Sequence, residues 1–353
     1  MATASSLVTG EFRLIGRLAR RFSRSHPDVA RGIGDDAAVM RISDATSQLL
    51  TTDLLAQDVH FDLRTATLQD IGYKAAVANL SDIAAMGGIP QAMLVAIAFP
   101  PHTAVRQVER LYQGMMEACR PHGVTLIGGD TSSSKHGWFI GITMTGTAAS
   151  RRILYRSGAR VGDELWVSGT IGDALAGLQL LGGRSARSLT ARYRKTLIAR
   201  HRRPTARLAL AQALASRGLA TAAIDLSDGL SGDLAHICEE SRVGAEVAAP
   251  LLPVSSALRA YAEATHRPVT QLALQGGEDY ELLFTASPSA HGSLIRLGRQ
   301  LRCPLTRIGR ITGRQLGQRL WLADGSITPM PRLSYEHFTP SHNALSSRRR
   351  RTR

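Results

Sequence analysis

Lysine is nearly missing from this chain. Of the 43 basic residues among 353, 40 are Arg, and Lys74, Lys135 and Lys195 are the remainder. A Walker-type phosphate loop needs Gly-Lys-Ser/Thr, and none of the three has Gly before it and Ser or Thr after it. Cysteine is scarce as well. Cys119, Cys238 and Cys303 stand far apart with no CxxC pair. That excludes a paired-thiolate zinc site or redox dithiol and suits isolated buried thiols in a reducing, cytoplasmic setting. Aromatic residues are 5% of the chain, and no RNA-binding aromatic signature appears, so a specific nucleic-acid partner is not expected. The longest apolar run, Ala92 to Phe99, is far short of the ~20 residues of a membrane span. The first 26 residues are Arg- and Ser-rich with one acid, Glu11. Their composition resembles a transit peptide, but no apolar signal core follows.

What is present suits a folded protein. The chain is 44% hydrophobic and 20% charged, and its length suits about two domains of ~100–200 residues. Net charge is +15. The Ser346–Arg353 end, SSRRRRTR, is expected to be a disordered tail within 341–353; removing its five Arg leaves +10. The remaining excess fits phosphate-bearing partners and fits a plain Arg bias equally well.

Periodicity predicts a mixed α/β fold with a domain boundary near residue 150, giving domains 1–150 and 151–340. Strands are expected at Leu49–Asp53, Ala92–Phe99, Gly123–Ile127, Phe139–Thr147, Glu164–Ser168, Ala222–Asp225 and Glu281–Thr285. Helices are expected at Gln69–Met86, Thr103–Cys119, Asp173–Leu181, Ala206–Arg217 and Gly229–Ser241. Gly87-Gly88-Ile-Pro90 supplies a strong stop for the helix before it.

Against the Arg background the acids stand out. They occur in Gly32-Ile-Gly-Asp-Asp36, Thr51-Thr52-Asp53, Asn79-Leu-Ser-Asp82, Gly128-Gly-Asp130-Thr131, Asp225-Leu-Ser-Asp228-Gly229 and Gly276-Gly-Glu278-Asp279-Tyr-Glu281. Singly, each has an ordinary reading as a helix cap or turn residue. Asp82 differs: Ala75, Asn79, Asp82 and Met86 share one helix face, and the surrounding residues are apolar or small. An ionised Asp there is costly unless paired or metal-bound. If the acidic turns converge, their repulsion calls for divalent cations, and an oxygen-only ligand set favours Mg²⁺. That chemistry belongs to phosphoryl transfer without a phosphate loop. Gly32-Ile-Gly34-Asp-Asp-Ala37 matches a dinucleotide-binding pattern only formally. No buried strand precedes it, and two Asp would repel a pyrophosphate.

Seven segments in order then carry a resemblance: GIGDDAAV (32–39), TDLLAQDVHF (52–61), YKAAVANLSDIAAMGG (73–88), LIGGDT (126–131), RSGARVGDELWVSGTIGDALAGL (156–178), AAIDLSDGLSGDLAHI (222–237) and ALQGGEDYELLFT (273–285). Together with GEFRLI (10–15) and YEHFTP (335–340), they resemble the thiamine-monophosphate kinase family of the aminoimidazole-ribonucleotide-synthetase superfamily. The resemblance implies two α/β domains, a homodimer paired through N-terminal sheets, and ATP in a cleft between the domains near that pairing surface. It implies Mg²⁺-assisted transfer of the ATP γ-phosphoryl group to thiamine monophosphate, with several ions per site. Asp36, Thr51, Thr52, Asp53, Asp82, Asp130, Asp225 and Asp228 take the metal positions. Gly129, Asp130, Arg156 and Ser227 face ATP; His60, Glu278 and Tyr335 face the acceptor. His60 as a packed histidine and Tyr335 as a core contact remain open alternatives. Ser132-Ser-Ser-Lys135 departs from the Thr-Arg-Gly common in the family after Gly-Asp-Thr, and the basic tail has no counterpart. A sister synthetase activity, a non-catalytic nucleotide sensor and nucleic-acid binding are the rival readings.

Overall fold

A computed structural model describes residues 10–338. The expected basic tail, 341–353, lies outside the described residues.

The first sheet has six strands in the order β1-β2-β3-β6-β4-β5. They are β1 (Val29–Arg31), β2 (Ala38–Arg41), β3 (Thr46–Ala56), β4 (Ile89–Phe99), β5 (Thr125–Ser133) and β6 (Phe139–Ala149), accompanied by helices α1 (Glu11–Phe22), α2 (Leu68–Ala85) and α3 (Val105–Cys119). Only β4 and β5 run parallel in it. The second sheet has seven strands, ordered β13-β12-β9-β11-β7-β10-β8. These are β7 (Glu164–Ser168), β8 (Ala222–Asp225), β9 (Gly244–Ala248), β10 (Leu282–Ala286), β11 (Leu305–Thr312), β12 (Gln318–Trp321) and β13 (Ile327–Pro329). Its helices are α4 (Asp173–Leu181), α5 (Ala191–Arg202), α6 (Leu208–Arg217), α7 (Leu230–Ser241), α8 (Ser256–Thr265), α9 (Val269–Gln275) and α10 (His291–Gln300). The mixed α/β expectation holds.

Two acids sit differently than expected. Asp53 is expected at the end of a strand and Asp130 beyond one, yet β3 pairs with β6 from Thr46 to Ala56, and β5 pairs with β4 through Ser133. Both acids are therefore inside strands, held by ladder hydrogen bonds rather than by turns. The stop after α2 is as expected: Met86 caps the helix and Gly87 takes φ 71°, after which Pro90 enters β4.

Helix α2 organises the molecule. Thr67 caps its start by accepting from the Asp70 N–H at 3.1 Å. Thirteen of its 18 residues are buried, because β3, β4 and β6, helices α3 and α6, and β8 all pack on it. One apolar core accordingly runs from Leu49, Met93 and Ile142 of the first sheet through Ile83 to Ala223 and Phe284 of the second. A further core fills the outer side of the second sheet around Leu165, Ile224 and Leu234.

The α2–α3 crossing depends on two glycines. A Cβ at Gly72 would lie 2.0 Å from the Leu111 carbonyl oxygen, and one at Gly114 would lie 1.8 Å from that of Gln69. Both obstacles are backbone, so the helices would have to separate. Gly114→Ala is expected to cost about 2–3 kcal/mol, read as a lower urea midpoint at unchanged m-value. A loss under about 0.5 kcal/mol would show that the crossing tolerates a methyl group.

Candidate active site

The side chains of β3 alternate between two faces. Ser47, Leu49 and Thr51 turn inward onto α2. At the inner end of this row the Thr51 hydroxyl donates to Asp82 Oδ2. One residue before Asp82, the Ser81 hydroxyl donates to Asp225 Oδ2 at 2.6 Å. Asp225 ends β8, the edge strand of the second sheet, where it pairs with Leu282 of β10. The seam between the sheets thus brings together carboxylates from distant parts of the chain. Ligand atoms of Asp36, Asp82 and Asp225 all lie within 4.8 Å of one another.

Asp36 reaches this point from the turn before β2. Arg156 donates to its Oδ1 through Nη2 at 2.5 Å and Nε at 3.2 Å. The other oxygen, Oδ2, is buried and has no hydrogen-bond partner. Next to it, Asp35 accepts the Arg156 N–H at 3.2 Å and lies 3.3 Å from the Arg31 Nε. Burial pushes the Asp35 carboxyl up to about 7, and Asp36 adds to this.

The cluster is under electrostatic pressure. Burial, then the charges of Asp53, Asp225 and Asp36, hold the Asp82 carboxyl well above the carboxylate range. Asp225 is pushed up to about 8 by burial and then Asp36. Burial raises Asp53 to about 6 and, with Glu11 assisting, Asp228 to about 6. Such groups either take up protons or face cations.

Asp228 lies in the turn that opens α7. Its carbonyl accepts the Tyr335 N–H at 3.1 Å, and the Ser227 carbonyl accepts the Glu278 N–H at 2.8 Å. The turn, the 276–281 loop and the C-terminal segment are therefore one construction. Asp233 closes the first turn of α7 by accepting the Gly229 N–H at 3.0 Å.

The expected acceptor residues gather on this side. His60 accepts the Ala56 N–H at Nδ1, 3.0 Å away, which leaves Nε2 for other contacts. Its ring centre lies 5.1 Å from that of His337, and His337 meets Tyr335 edge-on at 4.9 Å. Burial, then His337, lowers the His60 pKa, so the ring is neutral near pH 7. Glu278 bonds Lys74 Nζ at 2.6 Å and lies 3.2 Å from His201 Nδ1.

Three expected residues sit apart. Thr52 alternates to the opposite face of β3, where its hydroxyl bonds the Ile142 carbonyl and Thr143 at 3.2 and 3.1 Å. Gly129 and Asp130 lie on exposed β5, three strand positions from β3, which is about 14 Å at ~4.8 Å per strand. Gly129 has a packing reason to be Gly: a Cβ there would lie 1.9 Å from the Val95 carbonyl oxygen on β4. Asn79, on the helix face it shares with Asp82, donates through Nδ2 to the Ala75 carbonyl at 3.1 Å. Sequence reasoning missed Ser81, Lys74 and His201. Positions 74, 81 and 82 recur at helical spacing on α2, but the helix is buried nearly all round, so that spacing does not single them out.

Comparison with known proteins follows the same lines. The family model described as AIR synthase related protein, N-terminal domain, matches residues 34–148, and that for the C-terminal domain matches 160–321. The thiamine-monophosphate kinase of Escherichia coli (strain K12) is 39% identical over 333 residues, 94% of this chain and 99% of that one. That of Bacillus subtilis (strain 168) is 34% identical, covering 93% of this chain and 99% of its own. A solved structure described as "AaThiL complexed with AMPPCP and TMP" superposes with a TM-score of 0.82 at 33% identity, over 95% of this chain and 100% of that one.

Proposed function

The chain belongs to the thiamine-monophosphate kinase family of enzymes, and on that premise we propose that it transfers the γ-phosphoryl group of ATP to thiamine monophosphate, giving thiamine diphosphate and ADP. The observation that carries the reading is the meeting of Asp36, Asp82 and Asp225 at the seam between the sheets, with one Asp36 oxygen buried and unpartnered. Three close acids repel a phosphorylated substrate unless cations accompany it.

The donors fit Mg²⁺. All three clustered ligands are carboxylate oxygens, which suits a hard cation better than zinc. Asp36, Asp82 and Asp225 would hold it, with Asp53, Asp228 and the Thr51 hydroxyl beside them. When bound, such ions neutralise phosphate oxygens and assist in-line transfer. Arg156, half-buried on Asp36, has a guanidinium suited to bidentate phosphate binding. The positive end of the α7 dipole favours anions at the Asp228–Gly229 turn. Ser227 lies in that same turn. On the loop bonded to that turn, Glu278 supplies negative charge for a cationic heteroaromatic ring, with Tyr335 and His60 as aromatic residues on the same side. These residues bind and orient; no side chain is required as a general base for direct transfer.

The reading includes a homodimer. Edge strand β5 is exposed along its length, and the outer face of its sheet carries exposed Leu54, Leu94 and Ile127. A second copy of the same sheet would cover that surface and bring Asp130 and Gly129 next to a partner. Among the described residues no helix is long and apolar enough to cross a membrane, in keeping with a cytoplasmic kinase.

The test is direct. Purified protein, ATP, Mg²⁺ and thiamine monophosphate are expected to yield thiamine diphosphate and ADP in equal amounts by chromatography. No thiamine diphosphate with Mg²⁺, Mn²⁺ or Ca²⁺ would refute the proposal. ATP consumption with another phosphorylated acceptor would point to a sister activity.

A further inference from the structure

The loop that presents Glu278 is held far more firmly than a surface turn. Glu278 and Tyr280 both take left-handed backbone angles, φ 62° and 52°, a conformation that costs non-glycine residues energy and persists only where its surroundings impose it. Those surroundings are explicit. Between the two, the Asp279 carboxylate accepts the N–H groups of Gly172 and Ala174 at 2.5 and 3.1 Å, at the start of α4. Glu281, wholly buried, is bound by Arg200 at 2.8 Å, by Arg207, and by the Ser168 hydroxyl at 2.6 Å. The backbone N–H groups of Glu278 and Tyr280 donate to the carbonyls of Ser227 and Leu226 at 2.8 and 2.9 Å. With the backbone fixed on both sides, only the Glu278 side chain has freedom left.

Two residues remove it. Lys74, buried in α2, takes Oε1 at 2.6 Å, and His201, buried in α5, lies 3.2 Å from Oε2. Lys74 fixes Oε1 by a hydrogen bond, while His201 Nδ1 has no aligned hydrogen bond and borders Oε2 from a second helix, so the carboxylate is confined from two sides. About a quarter of the Glu278 side chain stays exposed, 27%. Burial alone would raise this carboxyl, but Lys74 and then His201 outweigh it and keep the group ionised.

We propose that Lys74 and His201 are positioning residues that clamp Glu278 from two sides and so set acceptor recognition, without touching the transferred phosphoryl group. The inference rests on the kinase reading above, in which Glu278 faces the acceptor. It predicts a split between substrates. Loss of the clamp weakens the acceptor and leaves ATP, which is bound at the carboxylate side, largely unaffected.

The experiment measures KM for thiamine monophosphate and for ATP, with kcat, in the wild type, Lys74→Met, His201→Leu, Glu278→Gln and the double variant Lys74→Met/Glu278→Gln. Lys74→Met is expected to raise the acceptor KM about tenfold or more, with the ATP KM within about twofold. His201→Leu is expected to act in the same direction. In the Glu278→Gln background, Lys74→Met is expected to add less than about threefold, because the charge it served is gone. Both KM values rising together, or full additivity in the double variant, would overturn the clamp. If Lys74→Met does not fold, His201→Leu and the charge-neutral double variant decide the matter. An unchanged acceptor KM in His201→Leu, or a double variant at the wild-type acceptor KM, overturns it. A wild type that makes no thiamine diphosphate refutes the kinase reading itself; an active wild type without the substrate split refutes only the clamp.

Discussion

Asp82→Asn is expected to lose about 10³-fold or more in kcat and yet to melt higher than the wild type when divalent cations are absent. The two effects share one cause. In the metal-free protein Asp82 is a half-buried acid facing Asp53, Asp225 and Asp36, whose charges all disfavour its ionised form. A pair of unit charges 4 Å apart costs on the order of 4 kcal/mol at an effective dielectric near 20, and partial protonation relieves only part of it. Asn keeps the size and a hydrogen-bond partner for Thr51 and removes the charge. A rise of roughly 1–3 °C in Tm is expected from about 1–2 kcal/mol in a chain of this size. Differential scanning fluorimetry with a chelator, beside the product assay with saturating Mg²⁺, checks both halves. Turnover within tenfold of the wild type would remove Asp82 from the machinery. A lower Tm would mean that its charge is compensated in the metal-free state.

The second expectation concerns pH and metal together. Without divalent cations the protein should lose stability as pH rises from about 5 to 8, and millimolar Mg²⁺ should abolish that decline. Asp53 and Asp228 are raised to about 6 and Asp225 to about 8, against about 4 in the unfolded chain. In this window the folded state holds protons that the unfolded state has released, so stability is full below about pH 4 for these groups. It is lost as pH climbs through their folded values. Glu278, held low, contributes in the opposite sense but only in acid below this window. Mg²⁺ binds the deprotonated acids and replaces the protons, so its stabilisation should grow with pH. Thermal melts at pH 5, 6, 7 and 8, with chelator and with Mg²⁺, give the two curves. Parallel curves would show that these acids do not form the cation site.

Much of this site is legible in the sequence, and the part that is not has a common reason. Asp82 announces itself because it interrupts an apolar helix, and Asp225 because it ends an apolar strand. Lys74 and Ser81 lie on the same helix, but α2 is buried on nearly every side. No polar stripe therefore marks which of its faces meets the second sheet. His201 lies in the last turn of ARYRKTLIARHR, a segment that reads as a solvated basic helix until Glu278 is placed beside it. Helix α10 and strand β11 are hidden in the same manner, because Arg interrupts their apolar positions. Thr52 and Asp130 sit in motifs as distinctive as Thr51 and Asp82. Their displacement comes from strand alternation and sheet order, which depend on register and not on local composition.

The shared core around α2 bears on how the chain comes into being. The family models divide it near residue 150, but Ile83 and Met86 are buried with Leu214 and Phe284 in one cluster. During synthesis from the N-terminus, α2 would emerge with one flank uncovered and wait until residues up to about β10 followed. The first family segment is thus a template rather than a finished body. Splitting the gene at the homology boundary would leave apolar surface bare on both fragments, which favours their mutual complementation over independent folding.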